Sequence, residues 1–172
     1  MDVTAFIGVG ANIEPERNLR RALDLLRERT VVTGVSTVYR TTPLRHPEQP
    51  PFLNGVFRID TGLPPQALKS DVCRAIEDAL GRVRSADPWA PREMDLDIAL
   101  YGDVVLDTPD LRIPDPEIRE RPFLAAPMLE LEPDLVLPDT GEALADVVAR
   151  MDLTGMVSMC ELTKALRVRL AQ

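Results

Sequence analysis

The order of the periodic segments constrains this chain most. Residues 3–9, Val-Thr-Ala-Phe-Ile-Gly-Val, are a continuous apolar run of strand length, and Gly8 and Gly10 flank its end. Pro15 suits the first position of a helix, and Leu19, Ala22, Leu23, Leu25 and Leu26 follow at helical spacing to about residue 29. Residues 31–40 are rich in Val and Thr and read as a second strand. Four prolines then make 42–51 a loop. Residues 53–61 read as a third strand, ended by Gly62 and Pro64-Pro65. A helix over 65–83 turns Leu68, Val72, Ala75, Ile76, Ala79 and Leu80 inward. After a loop over 84–92, residues 94–106 read as a fourth strand with a hairpin at Tyr101-Gly102-Asp103, so that Val104-Val105-Leu106 return beside it. The spacing predicts further helices over 119–131 and 142–151, and a terminal helix or strand over 156–170.

Strand, helix, strand, strand, helix, strand is the ferredoxin-like βαββαβ order. The expected fold is therefore α+β: an antiparallel sheet with helices packed on one face and a C-terminal extension. With 172 residues and no internal repeat or linker, the chain is expected to be a single domain over 1–172. A domain of that size buries roughly 70% of its unfolded surface and needs no staple.

Composition removes several function classes. The net charge of −8 argues against nonspecific nucleic-acid binding, which needs a basic footprint. His46 is the only histidine, and Cys73 and Cys160 are far apart, so zinc centres and serine-histidine triads lack their parts. The two cysteines read as reduced thiols, with Cys73 in a core-packing position. No apolar stretch approaches a membrane span, and the short run Ala5 to Val9 does not read as a signal peptide. A cytoplasmic, monomeric protein is expected.

The chemistry concentrates in residues 81–101. Asp95 and Asp97 are two apart on a predicted strand, so both carboxylates leave the same face while Leu96, Ile98 and Leu100 take the other. Their Cα atoms lie roughly 7 Å apart, close enough to share one Mg²⁺ or to hold two. Two ordinary aspartates on a solvent-facing edge would look the same in isolation. Arg82, Arg84 and Arg92 lead into that strand, and Arg119 and Arg121 follow it. Guanidinium groups bind phosphate oxygens bidentately, so a carboxylate pair beside several arginines suits triphosphate transfer. The bland alternative pairs each arginine with a surface acid. Trp89, the only tryptophan, could cover a base or anchor its loop. No Walker loop occurs, and Gly8-Val9-Gly10 fails the dinucleotide fingerprint because position 13 is Ile.

Taken together, Gly8-Val9-Gly10-Ala11-Asn12, Val38-Tyr39-Arg40-Thr41-Thr42-Pro43-Leu44, Phe52-Leu53-Asn54, Glu77 through Gly81-Arg82-Val83-Arg84, and Trp89-Ala90-Pro91-Arg92-Glu93-Met94-Asp95-Leu96-Asp97 form a specific set. Arg121-Pro122-Phe123-Leu124 and Ala126-Pro127-Met128 extend it. Over about residues 4–138 the chain resembles the 6-hydroxymethyl-7,8-dihydropterin pyrophosphokinase family. The resemblance implies pyrophosphate transfer from ATP, the co-substrate, to a pterin alcohol in folate biosynthesis. It implies two Mg²⁺ ions on Asp95 and Asp97, and phosphate contacts from Arg82, Arg84, Arg92 and Arg121. Glu77, Ile98 and Leu111 would line the adenosine side, with Trp89 near the bound substrates. Thr41, Thr42, Leu44 and Asn54 would meet the pterin edge, and Phe52 and Phe123 would sandwich its ring. The sandwich has a physical basis, since flat heteroaromatic rings stack well on aromatic faces and only seven aromatic residues occur in the chain.

The chain departs from the family pattern at Asp115 and Ser85, and Arg74, which would compensate, stands where an amide is often found. Asp115, in Pro114-Asp115-Pro116, stands where the family usually has His, and Ser85 where a basic residue often follows Arg84. An acid there would weaken ATP binding by repulsion unless Asp115 turns toward an arginine such as Arg112 or Arg119. These departures motivate a rival reading, a non-catalytic pterin or nucleotide sensor; the presence of Asp95, Asp97, Arg82 and Arg92 argues against it.

Overall fold

The computed structural model describes residues 1–172. Strand β1 (Val3–Ala11) runs through the middle of the main sheet, antiparallel to β4 (Phe52–Thr61) on one side and β5 (Asp95–Tyr101) on the other. Beyond β4 lie β2 (Val31–Val35) and β3 (Tyr39–Thr41), both paired to it, and β8 (Val157–Ser158) pairs with β3. The segment expected as one strand over 31–40 is thus two, separated by Ser36–Val38. The buried Ser36 hydroxyl receives the Val56 N–H at 2.8 Å there, so a side chain replaces a ladder bond.

Helices cover both faces of the sheet, not one. On the first face Ala5, Ile7, Val9 and Ala11 meet Leu19, Leu23 and Leu26 of α1 (Pro15–Arg27), together with Leu68, Val72 and Ile76. The last three belong to one helical run built of α2 (Pro65–Ala67), a π-helical stretch Leu68–Arg74 and α3 (Ala75–Ala79). That run ends before residue 83 because Gly81 adopts a positive φ of 87°. On the second face Phe6, Val56 and Leu100 pack against Leu124 and Met128 of α4 (Pro122–Leu131) and Leu144 and Val147 of α5 (Leu144–Ala149). Helical spacing identifies a buried stripe but not which side of a sheet it covers. The clue lay in β1, whose near-continuous apolar run is what a strand buried on both faces requires.

Two further expectations change. A register shift in the β1–β5 pairing at Phe6/Ile7 puts Leu100 in the second core, on the side opposite Leu96 and Ile98. The returning hairpin arm does not pair with β5: β6 (Leu106–Asp107) pairs with β7 (Arg112–Ile113) as a separate ribbon. A short 3-10 helix, Pro116–Arg119, precedes α4. The tail is both a strand and a helix, β8 followed by α6 (Cys160–Ala171), whose Leu162 and Leu166 join the first core. Cys73 is buried there as expected, and burial pushes its thiol up to about 12. Truncating a leucine of either core to Ala would cost about 2–5 kcal/mol.

Candidate active site

Asp97 stands opposite Gly8 and Asp95 opposite Gly10 across the β1–β5 ladder. The glycines leave room above the sheet: a Cβ on Gly10 would sit 2.7 Å from Asn54 Oδ1, and one on Gly8 3.0 Å from Leu124. The carboxylate pair therefore rises from an open floor, as the period-two pattern required.

Basic side chains hold both carboxylates. Arg82 Nη1 donates to Asp95 Oδ1 at 2.7 Å and to Glu77 Oε2 at 3.0 Å. Arg92 Nη1 donates to Asp95 Oδ2 at 3.0 Å, and its Nη2 donates to the Pro88 carbonyl. Lys69 Nζ donates to Asp97 Oδ1 at 2.8 Å. Burial disfavours the charged form of Asp95, but Arg82 and Arg92 outweigh it and hold the carboxyl below the ordinary aspartate range. Burial and the neighbouring Asp95 charge raise Asp97, against the pull of Lys69.

Because β5 is the end strand of the main sheet, its outer edge has no strand partner. At Leu96, between the two aspartates, side chains take that role. Glu77 Oε2 accepts the Leu96 N–H at 2.9 Å, and Lys69 Nζ donates to the Leu96 carbonyl at 3.2 Å. Glu77 is 3% exposed, and burial raises its pKa despite that hydrogen bond.

Two cavities open on the pair. One, about 300 Å³, is lined by Thr41, Thr42, Leu44, Phe52, Asn54 and Phe123, with Trp89, Arg92 and Arg121 around them. The other, about 390 Å³, is lined by Ile98 and Leu111 among others. Asp95 borders both cavities and Asp97 the second. All six residues expected at a pterin edge or face thus share one cavity, and two of those expected near adenosine share the other. Trp89 is on the 300 Å³ side, where Arg45 stacks on it at 5.1 Å. Asn54 donates to Thr41 Oγ1 at 2.7 Å, which fixes its amide. The Arg92 guanidinium lies 5.8 Å from the Phe52 ring centre, and its Nε is buried with no hydrogen-bond partner.

Four expected residues are placed differently: Arg82, too, borders neither cavity, and its Nη1 is held by Asp95 and Glu77. Glu77 and Arg84 border neither cavity: Glu77 is committed to Leu96 and Arg82, while Arg84 pairs with Asp78 at 2.6 Å and with Glu77 at 3.1 Å. Arg119 is drawn away by Asp139 at 3.0 Å and Glu142 at 3.5 Å. Neither it nor Arg112, which pairs with Asp107, neutralises Asp115. Asp115 instead caps the Pro116–Arg119 turn by accepting the Glu117 N–H at 2.9 Å, and burial pushes its carboxyl up to about 6. Sequence reasoning missed Lys69 and gave Asn12, quoted only within its motif, no role, since neither belongs to a spacing pattern that names its partner.

The donor set suits Mg²⁺. No group of three or more His, Cys, Asp or Glu side chains converges as an all-protein cage. Two carboxylates are what Mg²⁺ commonly takes from a protein when substrate phosphates and water complete its shell.

A family model described as 7,8-dihydro-6-hydroxymethylpterin-pyrophosphokinase (HPPK) matches residues 6–133. The 2-amino-4-hydroxy-6-hydroxymethyldihydropteridine pyrophosphokinase of Pseudomonas aeruginosa is 39% identical over 154 residues, covering 88% of this chain and 93% of that protein. The like-named protein of Methylorubrum extorquens is 37% identical over 155 residues, covering 88% of this chain and 96% of that one. A crystal structure of HPPK-DHPS in complex with substrates matches with a TM-score of 0.65 at 12% identity, over 87% of this chain. This chain spans 43% of that solved chain, and the likeness concerns the fold alone. Mixed helix and antiparallel sheet around a carboxylate-arginine floor is an arrangement that suits phosphoryl-group transfer, and the matches place the chain in the diphosphokinase class of enzyme. Within that class, the chain belongs to the 7,8-dihydro-6-hydroxymethylpterin-pyrophosphokinase family.

Proposed function

We propose that this protein transfers pyrophosphate from ATP to the hydroxymethyl group of 6-hydroxymethyl-7,8-dihydropterin, releasing AMP, in folate biosynthesis. One observation carries the reading: Asp95 borders both cavities, one lined by the residues expected to meet a pterin and one by Ile98 and Leu111, two of those expected near adenosine. Phe52 and Phe123 stack the ring, while Asn54, Thr41, Thr42 and Leu44 meet its edge. Ile98 and Leu111 hold the nucleoside. Asp95 and Asp97 would hold two Mg²⁺ ions, which would neutralise triphosphate charge and lower the pKa of the pterin hydroxyl. The hydroxymethyl oxygen attacks the β-phosphorus in line, the bond from that phosphorus to the α-bridging oxygen breaks, and AMP leaves. Arg82, Arg92 and Arg121 stabilise the charge spreading over the phosphoryl oxygens, and the unpartnered Nε of Arg92 is a donor ready for one. No protein nucleophile is needed, and positioning supplies much of the rate. Closure of the loop around 82–92, with Arg84 and Trp89, excludes water.

The sheet order, with β5 beside β1 and β4 beyond it, supports a ferredoxin-like arrangement of the single domain. A monomer is the proposed oligomeric state. No helix is long and apolar enough to cross a membrane, and both cysteines are unpaired; a cytoplasmic location fits the latter.

The test is AMP release from ATP and Mg²⁺, with and without the pterin, on wild type and Asp97→Ala. Pterin-dependent AMP that disappears in the variant supports the reading. A folded protein that binds pterin yet releases no AMP rejects it in favour of the sensor.

A further inference from the structure

Lys69 is one of only two lysines in a chain otherwise supplied with arginine. It sits in the π-helical stretch Leu68–Arg74, a widened turn of a kind found often at functional sites. Its side chain is 15% exposed and borders the 390 Å³ cavity together with Asp97, Ile98 and Leu111. Five carboxylates line that cavity, against two cations, Lys69 and Arg112. Arg112 is bound to Asp107 and is 60% exposed, so Lys69 is the one sheltered cation facing the space. A polyphosphate entering such a cavity meets strong like-charge repulsion unless a positive group answers it. The Lys69 ammonium has three donors and spends two, on Asp97 Oδ1 and the Leu96 carbonyl.

We propose that Lys69 is a nucleotide-binding residue, which donates to a phosphate oxygen of metal-bound ATP in the cavity that Lys69 borders with β5 and residues 110–117. The proposal rests on the pyrophosphokinase reading above. Before the nucleotide arrives, the ammonium balances Asp97. When cations take over Asp97, Lys69 keeps its hold on the Leu96 carbonyl and turns its charge to the incoming phosphate. This explains how a cavity with Asp115 in it, and neither Arg112 nor Arg119 to offset it, accepts a polyanion.

Calorimetry of α,β-methylene-ATP with Mg²⁺ on wild type, Lys69→Met and Lys69→Arg tests it, with pterin binding measured alongside. The expected result is at least tenfold weaker analogue binding by the Met variant, recovery to within about threefold by the Arg variant, and pterin affinity unchanged in both. The KM for ATP should rise more than kcat falls. If the lysine only neutralises Asp97, removing it frees a metal ligand. The Met variant would then bind the analogue as well as wild type or more tightly, and the proposal is overturned. A Met variant that fails to fold leaves the Arg variant decisive: wild-type-like melting with tenfold loss of analogue binding also overturns it. Wild-type protein that binds no analogue at all rejects the underlying reading, and Lys69's role with it.

Discussion

Asn12 and Arg92 hold each other twice: the Asn12 N–H donates to the Arg92 carbonyl at 3.0 Å, and Asn12 Oδ1 accepts the Arg92 N–H at 2.9 Å. The Asn12 amide also donates to Gln49 Oε1 and to the Pro50 carbonyl, each at 3.2 Å. Gln49 in turn donates to the Trp89 carbonyl at 3.0 Å. One 3% exposed side chain thus ties the end of β1 to both loops that frame the 300 Å³ cavity.

Asn12→Ala should therefore loosen both loops together. Each lost hydrogen bond contributes about 0.5–1.5 kcal/mol net, so the melting temperature should fall by about 3–10 °C. Pterin affinity should drop roughly tenfold, because Arg92 and Trp89 lose their anchor. A thermal melt and a pterin titration check the two halves separately; unchanged affinity in a destabilised variant would reduce Asn12 to a structural role.

Gly10→Ala tests the open floor. Its Cβ would press on Asn54 Oδ1, whose amide is already fixed by Thr41. We expect pterin binding to weaken at least tenfold while binding of Mg²⁺ and α,β-methylene-ATP stays within about threefold, since the clash lies on the pterin side. Equal loss of both ligands in calorimetry would mean that the substitution distorts β5 instead.

Asp115 gives a pH dependence of definite sign. Its ordinary value is 3.8, and burial first, then the nearby Glu117 and Asp97 charges, raise it to about 6 in the fold. A carboxyl raised on folding favours the folded state while protonated. Stability is lost as pH rises from the ordinary value through about 6, and the loss is complete above that. Asp115→Asn should melt alongside wild type near about pH 4 and roughly 2–6 °C above it near about pH 8. The same variant should bind Mg²⁺-nucleotide about three- to tenfold more tightly than wild type at the higher pH, and about equally at the lower. Parallel melting curves across that range would reject the assignment.

Asp24 behaves in the opposite sense. Its hydrogen bonds from Arg169 join α1 to α6 at 2.5 and 2.6 Å and lower its pKa. A lowered carboxyl contributes stability above its unfolded-state value, which disappears as pH falls through the folded-state value. The pair is more than a third exposed on the arginine side, so solvent screening limits its worth. Asp24→Asn should melt only about 1–4 °C below wild type near about pH 7, with the gap closing in acid.

Much of this site was legible because strands alternate and rings stack. Asp95 and Asp97 had to share a face whatever strand they paired with, and the few aromatics left Phe52 and Phe123 prominent. What stayed hidden depends on contacts between distant segments. No local spacing reveals that Glu77 and Lys69 meet at Leu96, or that Arg119 is drawn to Asp139. The face covered by α4 was equally silent, since an apolar stripe records burial but not direction. Leu100 changed sides through a register shift that no alternation rule anticipates.

The contacts of Asp95 and Asp97 have a consequence for how ligands enter. Each aspartate already has a positive partner, Arg82 and Arg92 for one and Lys69 for the other. On the proposed function, arrival of a metal-bound polyphosphate would be an ion exchange: the two carboxylates would pass from side-chain cations to the metal, and the released cations would meet the phosphates. On the proposed function neither a bare metal ion nor a bare nucleotide would complete that exchange, so the resting site would favour the neutralised pair.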